Sequence, residues 1–167
     1  MTSILYSANN FNIICTVVYA FNEEEKRKPL WDYLVAQSKN VNLPWLVAGD
    51  FNSILYNNDR MNNGCYNFVG EHNFIDCITL SKLVEPNFSG NFFTWRGGNS
   101  FSIHSKIDRV FVNPIWLDKI DKFGICFGNH SLSDHAQILI NLQMQNMTKR
   151  KIPFKYKNSW HSYDDYH

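Results

Sequence analysis

Three short motifs hold the side chains that could do chemistry. Gly49-Asp50-Phe51-Asn52, Lys106-Ile107-Asp108-Arg109 and Ser133-Asp134-His135 bring three carboxylates, an amide and an imidazole, each at the edge of a strand-like apolar run. That set suits hydrolysis of a phosphodiester. A carboxylate at Asp50 can orient and deprotonate a water. If the strand before it continues in extended geometry, Asn52 points to the same side. It can then hold Asp50 and donate to phosphoryl oxygens. His135 can bind phosphate as imidazolium or ligate a metal when neutral. Asp108 can accept the His135 ring N–H and fix its tautomer. Each motif alone has a plainer reading: Gly-Asp and Asn are ordinary turn formers, Asp-His is a polar strand start, and Asp108 is a solvent-facing acid.

Other residues could complete such a site. Tyr19 closes an apolar run and has a hydroxyl to offer a phosphate, unless it is a core tyrosine. Trp95-Arg96 offers a nucleotide an aromatic face and a cation, unless it is a surface pair at a strand end.

The elements that must position these residues are legible as a layered pattern. Strands are predicted over 13–19, 45–48, 92–95, 107–112 and 136–140, from β-branched and aromatic runs. A helix is expected after Asn22 as N-cap, with Glu23, Glu24 and Glu25 in a first turn that suits acids. Pro29 should start or kink its regular part. A second helix is predicted from Val69 to Leu80, with Phe74, Cys77 and Ile78 inward. A third, short one starts at Asn113-Pro114. The Asn-rich stretch 57–67 reads as a surface loop. Strands alternating irregularly with helices give an α/β or α+β layered fold.

Bulk properties fit one soluble domain. Of the 167 residues 44% are hydrophobic and 19% charged, and the net charge is +1. That excludes wholesale disorder and a strongly basic nucleic-acid binder. The four cysteines form no CxxC pair and read as free thiols in a reducing compartment. No leader-like segment and no membrane-length apolar run is present, so an intracellular chain without a membrane partner is expected. From about 143 the pattern decays into a basic tail, Lys149-Arg150-Lys151 to Trp160, which reads as the start of a linker.

In this order the motifs resemble the endonuclease/exonuclease/phosphatase superfamily, which includes deoxyribonuclease I-like and apurinic-site endonucleases. The likeness is strongest to the endonuclease domain of plant non-LTR (LINE-type) retrotransposons. It runs through Val18-Tyr19-Ala20-Phe21-Asn22, Trp45 to Asn52, Phe93-Thr94-Trp95-Arg96, Lys106 to Asn113 and Ser133-Asp134-His135. Pro153-Phe154-Lys155-Tyr156 with Trp160 resembles the segment leading toward the reverse transcriptase. The resemblance implies a partial four-layer α/β sandwich over 1–142 and a linker over 143–167. It implies Mg2+-dependent nicking of DNA, with Mn2+ as a substitute ion, by a nuclear protein that is expected to be monomeric.

It also implies roles. Asp50 activates the water, Asn52 stabilises the transition state, and His135 with Asp108 binds the scissile phosphate. Asp134 and Asp50 serve the metal. Tyr19 and Asn22 contact the phosphate, and Trp95, Arg96 and Arg109 contact substrate. The family's opening strands carry an Asn and a metal-ligating Glu before the Tyr motif. Only eighteen residues precede Tyr19 here, without a glutamate. The resemblance is therefore to the C-terminal part of the domain, with weak or no activity expected of the chain alone.

Overall fold

The computed structural model describes residues 2–8, 11–62, 71–97, 102–130 and 132–143. Val69, Cys65, Gly64 and the tail from 144 to Trp160 and beyond lie outside the described residues. Among those described, ten strands form three sheets. The principal sheet has the order β1 (Thr2–Ala8), β2 (Phe11–Tyr19), β3 (Trp45–Asp50), β8 (Asp108–Val112). β2 and β3 run parallel, joined by helix α1 (Glu24–Ser38), and the other neighbours are antiparallel. A second sheet is ordered β10 (Ile138–Leu142), β9 (Phe123–Phe127), β5 (Ser89–Gly90). The third is β4 (Arg60–Asn62), β7 (Ile103–Ser105), β6 (Trp95–Gly97).

Strands β3 and β8 of the principal sheet are buried on both faces, which suits their nearly continuous apolar sequence. On one face α1 and α2 (His72–Leu80) cover Val18, Trp45, Val47 and Phe111. There Phe51 stacks on Phe74 at 5.2 Å and meets Phe111 edge-on at 5.3 Å. Aromatic pairs of this kind contribute about 0.5–1.5 kcal/mol each beyond their burial. On the other face Ile13, Leu46, Val110 and Val112 pack on Ile125 and Phe127 of the second sheet and on Trp116 of α3 (Pro114–Lys119). The result is a layered α/β fold, described here as helices, sheet and sheet.

Several expectations need correction. β1 was not foreseen: it is a short, half-polar strand whose residues gain nothing until β2 pairs with them along their whole length. The cap of α1 is Glu23, not Asn22, and the helix neither starts nor stops at Pro29. Its first turn is anchored by Arg27, which donates to the carbonyls of Phe21 and Asn22 and pairs with Glu71 of the segment before α2. That buried anchor offsets the backbone bond that proline removes. Phe92 and Phe93 precede the strand rather than form it, and β6 begins at Trp95. The last strand begins at Ile138, two residues later than predicted. Asp59, read as a loop residue, is buried.

Other features fall where the sequence put them. Asn113 caps α3: its Oδ1 accepts from the amides of Trp116 and Trp45. The buried Cys77 thiol, which donates to the Trp31 carbonyl, is pushed up to about 12 by its burial and stays protonated.

Gly49 is required by close approach. Its φ is +139°, and a Cβ there would overlap the carbonyl of Val18 on the neighbouring strand. Gly49→Ala is expected to lose about 3 kcal/mol of stability, from backbone strain and overpacking together. Urea denaturation reads this as a lowered midpoint at unchanged slope.

Candidate active site

The chemistry-bearing residues meet at one end of the principal sheet. Register places Tyr19 beside Asp50 and Asp50 beside Asp108. Strand alternation turns all three toward the second sheet, the side that also carries Leu46 and Val110. At this end the apolar contacts give way to an acidic, partly open site. Asp50 and Asp108 are nearly buried, while Tyr19 is 80% exposed.

His135 arrives from the segment after β9. Its Nδ1 lies 2.9 Å from Asp108 Oδ2, and its side chain is about one-third exposed. With Nδ1–H donated to the carboxylate, Nε2 is the ring atom left to face a ligand. Thr94 holds the two partners in place. Its Oγ1 accepts from the amides of Ile107 and Asp108, and its carbonyl accepts from the amide of Ala136. Nothing in the sequence singled Thr94 out beyond its place in the Phe-Thr-Trp-Arg run.

Asp50 is fixed from its own loop. The amide of Asn52 donates to Asp50 Oδ1 at 2.8 Å and Asn52 Nδ2 to Oδ2 at 3.0 Å. The same Nδ2 donates to the Ala20 carbonyl. Asn52 therefore does not continue an extended strand. It turns back at φ +48°, a conformation asparagine tolerates. Both of its amide hydrogens are engaged, so it positions Asp50 rather than offering a donor to a transition state. Burial raises the Asp50 carboxyl above the usual range, and the Asn52 amide bond only partly opposes this. A raised acid pKa means that ionisation costs the fold. Its stabilising contribution is present below the unfolded value and lost as pH rises through the folded one.

Trp95 and Asp134 form the outer rim. Trp95 bridges to His135 in backbone pairing, and its indole N–H donates to Asp134 Oδ2 at 3.0 Å. That bond holds the exposed Asp134 carboxyl below the usual range. The Arg96 amide donates to the Asp134 carbonyl, which fixes the β6 backbone beside the rim, while strand alternation turns the Arg96 side chain to the face of β6 opposite Trp95. Asn22 is exposed in the bend between β2 and α1.

Arg109 does not belong to the site. Alternation turns it to the opposite face of β8 from Asp108, where it is fully buried. It pairs there with Asp59 and, at 2.9 Å, with Glu85. Lys106 joins the cluster through Glu85 at 2.9 Å and lies over the Phe88 ring at 4.2 Å. A second buried network, Arg27–Glu71–Ser53, ties the loop after Asn52 to α1. Neither network had a sequence signal.

A family model for the endonuclease/exonuclease/phosphatase family matches residues 2–135. The chain belongs to this family. Members of the endonuclease/exonuclease/phosphatase family are phosphoester hydrolases, nucleases and phosphatases, that typically use divalent metals. No curated protein matches the chain in sequence. Among solved structures, the endonuclease domain of TRAS1, a telomere-specific non-LTR retrotransposon, aligns with TM-score 0.57 at 17% identity, over 86% of this chain and 63% of that one. The 3′ phosphatase NExo from Neisseria, bound to product DNA hairpin, aligns with TM-score 0.57 at 15% identity, over 85% and 65%. An AP endonuclease from Archaeoglobus fulgidus aligns with TM-score 0.52 at 12% identity, over 85% and 65%. The chain thus spans less than two thirds of the length of each of these structures, and the likeness is one of fold.

The described residues do not fit a divalent metal. Among them no group of three or more His, Cys, Asp or Glu side chains is arranged to hold a metal ion. Each Asp50 oxygen accepts a bond from Asn52, and Asp134 accepts from Trp95 on one oxygen and from Ser133 Oγ on the other. Among the described residues no helix is long and apolar enough to cross a membrane.

Proposed function

We propose that this chain carries the water-activating and phosphate-binding part of a phosphodiesterase site that acts on DNA. The single observation behind this is the convergence of Asp50, Asp108 and the His135 ring at adjacent strand ends. In this reading Asp50, held by Asn52, takes the proton of a water whose oxygen attacks phosphorus. His135, oriented by Asp108, acts as imidazolium: it donates its Nε2–H to a phosphoryl oxygen and offsets the charge that builds there. The bond from phosphorus to the leaving sugar oxygen breaks, and that oxygen takes a proton from solvent. Tyr19 and Asn22 flank the phosphate, and Trp95 offers a flanking nucleotide a ring face.

The further reading is target-site nicking of the plant LINE type, in the nucleus, by a chain whose own rate is low. Mg2+, or Mn2+ in its place, is the ion proposed for the assay, and no step above is routed through it. The likeness to the TRAS1 domain and the Thr94-Trp95-Arg96 segment beside His135 support the retroelement branch. The competing class is a phosphatase for small phosphoesters. Duplex-DNA binding by fluorescence anisotropy across a salt series separates the two. The DNA reading expects affinity that falls steeply with salt and no turnover of para-nitrophenyl phosphate. Turnover of the small ester without DNA affinity would transfer the site to the phosphatase class.

A further inference from the structure

β1 ends the principal sheet. Its inner edge pairs with β2 over all seven residues, and among the described residues no strand lies along its outer edge. Proteins guard such an edge with charge, proline or a bulge. β1 has no charge and no proline: its sequence is Thr2-Ser3-Ile4-Leu5-Tyr6-Ser7-Ala8. Ile4, Leu5 and Tyr6 are each more than half exposed. Register puts Ile4 and Tyr6 on the face shared with Cys15 and Ile13, and Leu5 on the other face with Ile14. On the Leu5 side lies a groove of about 320 Å³ lined by Leu5, Ile14, Val41, Leu43 and Trp45.

The order of residues along β1 selects the occupant. Turned about a two-fold axis through Leu5, the strand meets itself antiparallel. Leu5 then opposes Leu5, Ile4 opposes Tyr6, Ser3 opposes Ser7 and Thr2 opposes Ala8. Across the central positions apolar residues meet apolar ones and serine meets serine, and no charge is desolvated. This is the self-complementarity that an isologous contact requires. A strand from another protein would have to match this order by chance, whereas a second copy matches it by construction. With a net charge of +1, two copies repel each other little.

We propose that the chain self-associates through β1, edge to edge, so that two principal sheets run on as one. The two-fold sets the paired copies antiparallel, so their Asp50 ends face opposite ways and both sites stay open. The inference is independent of the proposed reaction.

Sedimentation equilibrium of the full chain tests it. The expected result is a species of twice the monomer mass that grows with concentration through the micromolar range. Leu5→Lys should abolish it while leaving the circular dichroism spectrum unchanged. Leu5→Cys, which sets two thiols at the axis, should cross-link into a covalent dimer under mild oxidation at least tenfold faster than the wild type with its own cysteines. A monomer at all concentrations, or a dimer that survives Leu5→Lys, overturns the proposal.

Discussion

His135→Ala is expected to slow plasmid nicking by about 10²–10⁴-fold, the usual range for one group that handles charge or protons in the transition state. The ring combines partial exposure with a carboxylate that fixes its orientation. Asp108→Asn keeps the volume but offers the ring a poorer acceptor, and it should slow the reaction in the same direction by a smaller factor. Because Asp108 acts through His135, the double variant should be no slower than His135→Ala alone. Single-turnover nicking rates for the three variants decide this. Additive losses would mean that Asp108 has a separate task.

Arg109→Ala is expected to lose about 3–5 kcal/mol of stability, the cost of stripping a buried anion of its partner. The guanidinium is fully buried and pairs with both Asp59 and Glu85. Glu85 keeps Lys106 when Arg109 goes. Asp59 keeps only the amides of Leu55 and Tyr56. Arg109→Lys should lose less, since it keeps the charge but not the two-pronged geometry. Burial and the neighbouring Arg109 charge lower the Lys106 pKa, so Arg109→Ala relieves Lys106 of a like charge and offsets a small part of the loss. Urea titrations of the two variants check the order. Loss of nicking by Arg109→Lys at unchanged stability would return Arg109 to the substrate site.

The sequence was informative where local chemistry and burial coincide. The apolar run ending in Gly49-Asp50 is a strand covered on both faces, and the β-branched run ending in Tyr19 is covered on one face by the helices and on the other as far as Cys15. Asn113-Pro114 caps its helix by a rule that needs no tertiary partner. The placement of Asp108 against His135 follows from motif order, yet the residue that sets it, Thr94, looks like any strand threonine. The buried charges were not legible. Arg27, Asp59, Glu71 and Arg109 have the same composition as a solvated surface, and the charged partners that offset their burial lie 24 to 50 residues away. Arg109 shows the consequence. Adjacent to Asp108 in a motif, it lies on the opposite face because a strand alternates. Asn52 was placed by assuming that a strand continues, and a left-handed turn ended it.

The most direct test of the central claim is nicking of supercoiled plasmid by the purified chain, in Mg2+ and in EDTA, beside Asp50→Ala and His135→Ala. The account predicts slow nicking that both substitutions remove while the fold survives. A folded wild-type chain that leaves the plasmid intact, or nicking that persists in both variants, would contradict it.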